Sequence, residues 1–478
     1  MSGATSIKQR PAAGRSAGPK AILAAACAGL IAAAAFALLP LAVSVAIIVV
    51  GCICFLAAAR PAAAFVFVAA GLPCYHLAAS EVLPGLKLTS LEFVSAFLLL
   101  GLMIPRPERL APRLKELPAQ FWLLLGMLIW AAASIAMSPL GQERIVNAIK
   151  PFSAVLIFWF LTFTFARKPA AAPRLLIALI GGIVFAQAIG LPEAVTRTPM
   201  RGGRTVYVAE QRGGQMVPLQ EVRITGLMGE PNFYAYGSVV ALPICLAGLL
   251  GRRRKWAWAA AAAPSAAALV LSYSRAAFLA VIAGAVWVVL RAPRGRLVAL
   301  LMLVAALLIG AIVAPEAYIR RVTGVSTLRS DPSVQWRVDA WRAAVQAVHD
   351  YPMFGVGAGN ITRITPRGLY AHNSYLEVAA ELGIPGLLAF LAIFALSLRD
   401  AFRFSAQTKG SSRFMMIGLQ AALVATAVFW FFASMFGHKM AWFLMATASA
   451  SALRATRQAP DAAAPHDNSV LTKITKSN

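Results

Sequence analysis

Acidic side chains are scarce in this 478-residue sequence, which has 18 aspartates and glutamates against 44 lysines and arginines. Only five cysteines occur, all inside apolar segments, so neither a disulfide framework nor a cysteine metal cluster is expected. The apolar runs do not alternate with polar residues, as the strands of a membrane barrel would. The phosphate-binding motif Gly-x-x-x-x-Gly-Lys-Ser is also absent, which argues against ATP-driven transport.

Long apolar runs are what the sequence has in abundance. Hydrophobic residues make up 60% of the chain and charged residues 13%, with a mean hydropathy of +0.73, which excludes a soluble globular protein. Apolar runs of about 17–20 residues recur, each long enough to cross a bilayer as a helix. We therefore predict an all-α polytopic integral membrane protein with about 12–14 transmembrane helices. The predicted spans are 21–38, 41–58, 61–78, 88–104, 120–138, 150–167, 173–190, 233–250, 255–272, 275–291, 297–314, 384–399, 413–434 and 438–453.

The basic residues predict how these spans are oriented. If the N-terminus is cytoplasmic, five separate clusters of arginine and lysine all fall in cytoplasmic loops, as the positive-inside rule requires. The formal net charge of +26 then follows largely from topology and from contact with the lipid bilayer, so no nucleic-acid partner is expected. The clusters lie at 106–115, 167–174, 252–255, 291–296 and 399–413.

Two long segments interrupt this pattern. Counting the predicted spans from a cytoplasmic N-terminus places both segments on the external side. Both contain arginines but neither contains a lysine. Guanidinium is a planar fork that pairs bidentately with phosphate, although a GC-rich codon bias is an alternative explanation for the arginines. The chain is thus divided into a basic cytoplasmic tail (1–20), N-terminal transmembrane helices (21–190), a first long external loop (191–232), central transmembrane helices (233–314), a second and partly helical external loop (315–383), C-terminal transmembrane helices (384–453) and a cytoplasmic tail (454–478).

Paired carboxylates are missing from both external loops, which contain no Asp-x-Asp or His-x-x-Glu-His motif. A metal-dependent nucleotide-sugar transferase would use such a pair to hold a divalent ion on the diphosphate. We therefore predict no metal and no cofactor, with arginines in the electrostatic role. An external site also lacks nucleotide sugars, so the diphosphate substrate would arrive on a lipid.

The stretch Tyr370–Gly386, YAHNSYLEVAAELGIPG, joins the second loop to a membrane helix. Ser374 and Glu377 have the spacing of a capping box, which predicts a helix that begins at Asn373 or Ser374. The Gly-Ile-Pro-Gly sequence after Leu382 predicts a break or kink. His372 would lie just before a helix N-terminus, where N–H groups favour anions; the alternative is a capping histidine that faces water.

Four stretches occur in an ordered set: Arg-x-x-Gly…Pro-Asn at 223–232, Ser-Arg at 274–275, Trp-Arg…Pro-x-x-Gly-x-Gly-x-Gly-Asn at 336–360, and His-Asn-x-Tyr-Leu…Gly-x-x-Gly at 372–386. The set resembles the O-antigen ligase and O-antigen polymerase superfamily of bacterial envelope enzymes, over roughly 223–398. The resemblance implies an inner-membrane glycosyltransferase with its active site on the periplasmic face and both termini in the cytoplasm. It implies metal-independent, inverting transfer of a glycan from undecaprenyl diphosphate. The acceptor is lipid A–core in the ligase branch, which we favour, and a second lipid-linked glycan in the polymerase branch.

Residue roles follow from the motif positions and from side-chain chemistry. By position, His372 resembles the family's general base, a role that suits a group with a pKa near neutral. Arg223 and Arg275 resemble its diphosphate-binding residues and would stabilise charge on the leaving group. The remaining predicted substrate-binding residues are Arg337, Arg342, Glu230, Asn232 and Asn373. The alternative role is salt-bridged scaffolding for the two arginines, helix capping for Glu230 and helix packing for Asn373.

Two other classes of function compete with this interpretation. A flippase for lipid-linked glycans would carry functional charges within spans that line a cavity, whereas here arginine and histidine cluster at external span ends. A scaffold that binds anionic polymer through the arginine loops would have no single essential residue. His438, in a predicted external turn, is a weaker second histidine.

Overall fold

A computed structural model describes residues 59–77, 79–83, 86–103, 111–141, 145–168, 170–198, 206–212, 215–251, 254–292, 295–302, 304 and 332–462. The predicted spans 21–38 and 41–58, and most of 297–314, lie outside these ranges. Within them, helices occupy the remaining predicted spans. The long helices are α1 (Pro61–Gly71), α2 (Ser90–Met103), α3 (Ala119–Ala136), α4 (Ile145–Ala166), α5 (Ala171–Gly190), α6 (Pro231–Leu250), α7 (Lys255–Leu271), α8 (Arg275–Arg291), α9 (Pro332–Asp350), α10 (Ser374–Gln407), α11 (Gly410–Trp430) and α12 (Lys439–Ala462).

Short elements connect these helices. Two antiparallel hairpins form, one from β1 (Ala79–Leu83) and β2 (Leu86–Thr89), the other from β3 (Val206–Arg212) and β4 (Gln215–Arg223). The second hairpin lies in the segment predicted as the first long loop, and its second strand ends at Arg223. The short helical elements are the α-helical turns Glu193–Thr196 and Ile361–Ile364, the two-turn 3₁₀-helix Leu72–Leu77 and the 3₁₀ turns Leu114–Glu116, Gly226–Met228 and Pro366–Gly368.

Six of the described helices are long and apolar enough to cross a membrane, by length and composition. They are α3, α4, α5 with the turn that follows it, α6, α10 and α11. The predicted fold class, an all-α polytopic membrane protein, is confirmed. Because backbone polar groups find no partner in lipid, the spans must satisfy their hydrogen bonds internally, which helices do.

Helix α6 lies at the centre of one group of helices and packs against α7, α8 and α11. Its polar side chains meet partners inside the bundle: the Tyr236 hydroxyl lies 3.0 Å from Thr426 Oγ1, and Ser238 Oγ donates to the Ser265 carbonyl at 2.7 Å. Tyr236 also stacks on Phe429. Buried hydroxyls that are paired in this way fix the helices against one another.

Helix α10 organises the second group, where it packs against α3, α9, α11 and α12. It is kinked at Gly383, which has φ +71° and ψ −175°. A Cβ at this position would lie 2.2 Å from the Met353 carbonyl oxygen, so only glycine fits there. The predicted break is therefore present, and it divides α10 into a short N-terminal part that carries the site residues and a longer membrane part.

The glycine-rich loop at 352–360 docks on this kink. Ile384 N donates to the Pro352 carbonyl at 2.8 Å, and Val356 N donates to the Ala380 carbonyl at 2.8 Å. From α3, Ser134 Oγ donates to the Phe354 carbonyl at 2.7 Å. These bonds satisfy a buried loop backbone that would otherwise destabilise the fold. The loop is thus a structural support for the N-terminal part of α10.

Candidate active site

His372 lies immediately before the N-terminus of α10, as the sequence predicted. Its backbone is left-handed, with φ +51°, a conformation that costs about 1 kcal/mol or more for a residue with a Cβ. The Asn373 side chain caps the helix by accepting from Tyr375 N at 3.0 Å and Leu376 N at 3.1 Å. His372 thereby lies at a fixed point of the chain, directly before the capped helix.

The segment around His372 is held from both sides. From α9, Trp341 Nε1 donates to the Ala371 carbonyl at 2.7 Å. From the turn after α11, Ser434 Oγ accepts from His372 N at 3.0 Å. Helix α9 and the turn after α11 therefore both contribute to the placement of the histidine.

A cavity of about 840 Å³ opens beside His372. Its volume is in the range of roughly 300–1,000 Å³ that is typical of pockets for drug-sized ligands. The lining brings together residues from the first predicted loop, the second predicted loop and the turn after α11. Those with polar side chains are Glu230, Asn232, Asn360, Thr362, Arg363, Tyr370, His372, Glu377, Glu381 and Ser434.

The pKa of His372 is lowered to about 4, first by burial and then by the positive charge of Arg337. Both effects disfavour the imidazolium form. The imidazole is therefore neutral at physiological pH and able to accept a proton. The sequence left the sign of this shift open, because the relative positions of the nearby arginines and of Glu377 were unknown.

Replacing Arg337 by glutamine is expected to raise the His372 pKa, because a nearby cation is removed. If His372 is the base, the rate of the wild-type protein should be flat above about pH 5 and fall only as the pH approaches the His372 pKa of about 4. In Arg337→Gln this acid limb should move to higher pH. The measurement is the pH dependence of the turnover rate between about pH 4 and pH 8. This range extends from the lowered pKa of His372 to above the ordinary pKa of a histidine.

Arg342→Gln is the matched control for this experiment. Arg342 is on the same helix, but its side chain is 77% exposed and pairs with Asp339 at 3.2 Å. Its removal should leave the acid limb in place. An acid limb that does not move in Arg337→Gln would show that Arg337 has no electrostatic influence on the titrating group.

Arg223 is fixed at the junction of two segments. Its Nε donates to the Ser272 carbonyl at 2.9 Å, and its Nη2 lies 3.5 Å from Asn232 Oδ1. Asn232 in turn donates from Nδ2 to Glu230 Oε1 at 3.0 Å. Burial raises the pKa of the Glu230 carboxyl, although Asn232 and Arg223 act to lower it. An Arg–Asn–Glu chain thus leads from the Ser272 turn to the cavity wall.

Arg275 begins α8, three residues after the carbonyl that Arg223 contacts. Ser274 is its N-cap, with Oγ accepting from Ala277 N at 3.3 Å. Ile224 N also donates to the Leu271 carbonyl at 3.4 Å, so the backbones of the two arginine segments meet. The structure therefore brings the Arg223 and Arg275 segments together.

Glu193 holds the segment after Arg223, a role that the sequence did not indicate. Its Oε2 accepts from Thr225 N at 2.8 Å and from Gly226 N at 3.1 Å, and the residue is 1% exposed. A buried carboxylate with two N–H donors is a strong fixed contact. In the sequence, Glu193 was only one of several scattered acidic residues in the first long loop.

Glu377 and Glu381 lie one turn apart on α10 and both line the cavity. Glu377 accepts from Ser434 Oγ, and the backbone N–H groups of Ala371 and His372 lie near its carboxyl group. Glu381 accepts from Ile361 N at 3.1 Å. The Ser-x-x-Glu pattern thus does not form the predicted capping box, because Glu377 is engaged by Ser434 and by the residues before the helix.

The other predicted residues lie in different environments. Asn373 is 2% exposed, and its oxygen serves the helix cap. Arg342 is on the outer face of α9 and does not line the cavity. His438 is buried between aromatic rings, 5.1 Å from Phe233 and 5.0 Å from Tyr236. In the described ranges, no group of three or more His, Cys, Asp or Glu side chains has an arrangement that would hold a metal.

The helices and the cavity define the class of protein: a multi-pass, all-α membrane protein whose spans and loops enclose a pocket with a neutral histidine. Residues 260–391 match the family model described as O-antigen ligase. This part of the chain is therefore similar to the O-antigen ligase family, which supports the resemblance seen in its motifs. The match includes Arg275, Arg337 and His372, whereas the Arg223 segment precedes it.

Two further comparisons provided no additional evidence for the family. A search of curated proteins found no match. Among solved structures, this chain is similar to one from work described as "Structural coordination of polymerization and crosslinking by a peptidoglycan synthase complex". The two are 15% identical, with a TM-score of 0.38 over 70% of this chain and 97% of the other. At this level of similarity, neither fold nor function is transferred between the two.

Proposed function

We propose that this protein transfers a glycan from undecaprenyl diphosphate to an acceptor on the periplasmic face of the inner membrane, with lipid A–core as the acceptor. The observation that supports this most is the cavity of about 840 Å³ that neutral His372 lines together with Glu230 and Asn232. A base and a polar wall in one pocket, with Arg223 3.5 Å from the wall residue Asn232, are elements that glycan transfer requires.

In this mechanism, His372 accepts the proton of an acceptor hydroxyl as its oxygen attacks the anomeric carbon of the donor sugar. The new glycosidic C–O bond forms as the bond to the diphosphate oxygen breaks, and the electron pair leaves with undecaprenyl diphosphate. Attack from the side opposite the leaving group inverts the anomeric configuration. A neutral imidazole is the form that can act as this base.

Arg223 and Arg275 bind the leaving diphosphate in this proposal. Arg223 is already fixed by the Ser272 carbonyl and contacts Asn232, so little rotamer freedom is lost when it binds phosphate. A fixed guanidinium stabilises charge that develops on the diphosphate oxygens. Arg337, which lies close enough to His372 to lower its pKa, assists by keeping the base neutral.

The polymerase alternative differs in its acceptor. The test uses the purified full chain with undecaprenyl diphosphate O-antigen as donor probe, excess chelator, and two acceptors in parallel reactions. We expect O-antigen on lipid A–core in the presence of chelator. Longer lipid-linked glycan in the second reaction, without product on lipid A–core, would identify a polymerase.

The controls separate the remaining classes. Activity that is lost with chelator and restored by a divalent ion would contradict the metal-independent mechanism. No product with either acceptor, together with donor movement across proteoliposomes, would contradict the enzyme assignment and favour a flippase.

A further inference from the structure

The left-handed backbone of His372 needs an external support. The φ of +51° is uncommon for a residue with a side chain, and such a conformation persists where surrounding contacts determine it. A direct contact on the His372 amide itself comes from Ser434, which is 62 residues further along the chain.

Ser434 uses its single hydroxyl in two directions. Its oxygen accepts from His372 N at 3.0 Å, and its proton is donated to Glu377 Oε1. The backbone N–H groups of Ala371 and His372 also lie near the Glu377 carboxyl group. The hydroxyl and the carboxyl group therefore lie together around the amide of the histidine.

The turn that carries Ser434 is itself fixed to the start of α10. Ser374 Oγ donates to the Ala433 carbonyl at 2.7 Å and accepts from Met435 N at 2.8 Å. These reciprocal bonds set the distance between the two segments on both sides of Ser434. The Ser434 hydroxyl is consequently presented to His372 at a defined position.

We infer that Ser434, together with Glu377, is a positioning residue that holds His372 in the orientation needed to accept the acceptor proton. This inference rests on the proposed function of His372. Ser434 and Glu377 both line the cavity, but their bonds are directed to the backbone that carries the base. They therefore act through His372.

Ser434→Ala should lower kcat by about 10²-fold, the order expected when a reacting group is misplaced by about 1 Å. KM and the binding of undecaprenyl diphosphate, used as the probe, should be unchanged, because Arg223 and Arg275, which bind the donor in this proposal, do not depend on this turn. Ser434→Thr keeps the hydroxyl and can direct its methyl group into the cavity, so it should recover most of the rate. Glu377→Ala removes the carboxyl group that accepts from Ser434 Oγ and should also lower kcat alone.

Ser397→Ala is the matched control. Ser397 is buried, and its hydroxyl donates to the Ile393 carbonyl at 2.8 Å, within the membrane part of α10. Its loss should leave both kcat and KM at the wild-type values. Membrane levels and thermal unfolding are measured for every variant.

The decisive comparison is between Ser434→Ala in the wild-type background and in His372→Ala. If Ser434 acts through His372, the double variant should be no slower than His372→Ala. A further loss in the double variant, or a wild-type kcat in Ser434→Ala, would overturn the positioning role and leave the proposed function intact. Full activity of His372→Ala would instead overturn the proposed function, and this inference with it.

Discussion

His372→Ala is expected to reduce glycan transfer to a small residual rate while leaving undecaprenyl diphosphate binding intact. A general base contributes roughly 10²–10⁴-fold to a rate, and it acts in the transition state rather than in the donor complex. The measurements are single-turnover transfer with purified protein and binding of undecaprenyl diphosphate under the same conditions.

The contrast between rate and binding is what makes this variant informative. Loss of both rate and binding would indicate that His372 contacts the donor in its ground state. Retention of full transfer would exclude His372 as the base. Either result would direct attention to the carboxylates that share the cavity, Glu230, Glu377 and Glu381.

Arg223→Lys and Arg275→Lys are each expected to lower transfer strongly despite a normal amount of protein in the membrane. Lysine keeps the positive charge but loses the planar fork that binds two phosphate oxygens. For Arg223, it also loses the Nε–H that contacts the Ser272 carbonyl. The loss of transition-state stabilisation should be about 2–4 kcal/mol per residue.

Arg342→Lys is the matched control for the two arginines. Arg342 is exposed and pairs with Asp339 on the same helix, so its replacement should have little effect on transfer. Wild-type turnover in both Arg223→Lys and Arg275→Lys would mean that a point charge is sufficient. The bidentate argument would then fail, although an electrostatic role would remain.

Local signals in the sequence were enough to predict the helices and the position of the histidine. Apolar run length predicted the spans that became α3, α5, α6 and α11, because a bilayer requires a minimum helix length. The start of α10 was predicted for a similar reason: a cap and a glycine break are encoded within a few residues of Asn373 and Gly383.

The contacts that complete the candidate site could not be predicted in the same way. Ser434 is 62 residues from His372, and Glu193 is 32 residues from Thr225. Such pairings depend on how the helices pack, which periodicity does not encode. The same limit explains why the role of Glu377 was not predicted. Its spacing from Ser374 was typical of a capping box, but its partner, Ser434, lies in the turn after α11.

Two predicted substrate-binding residues show where residue type alone is a weak guide. Asn373 follows the histidine directly, yet its oxygen caps α10. Arg342 follows a tryptophan in the matching motif, yet it lies on the exposed face of α9. In both cases the side chain has a local partner, and local partners compete with ligands for the same hydrogen-bonding groups.

The measurement that tests the central claim most directly is the transfer rate of His372→Gln. Glutamine has a similar reach and can form hydrogen bonds, but it cannot take a proton at neutral pH. The purified variant, assayed with undecaprenyl diphosphate O-antigen, lipid A–core and excess chelator, should be nearly as inactive as His372→Ala. Full activity of His372→Gln would contradict the account and reduce His372 to a residue that positions substrate or caps the helix.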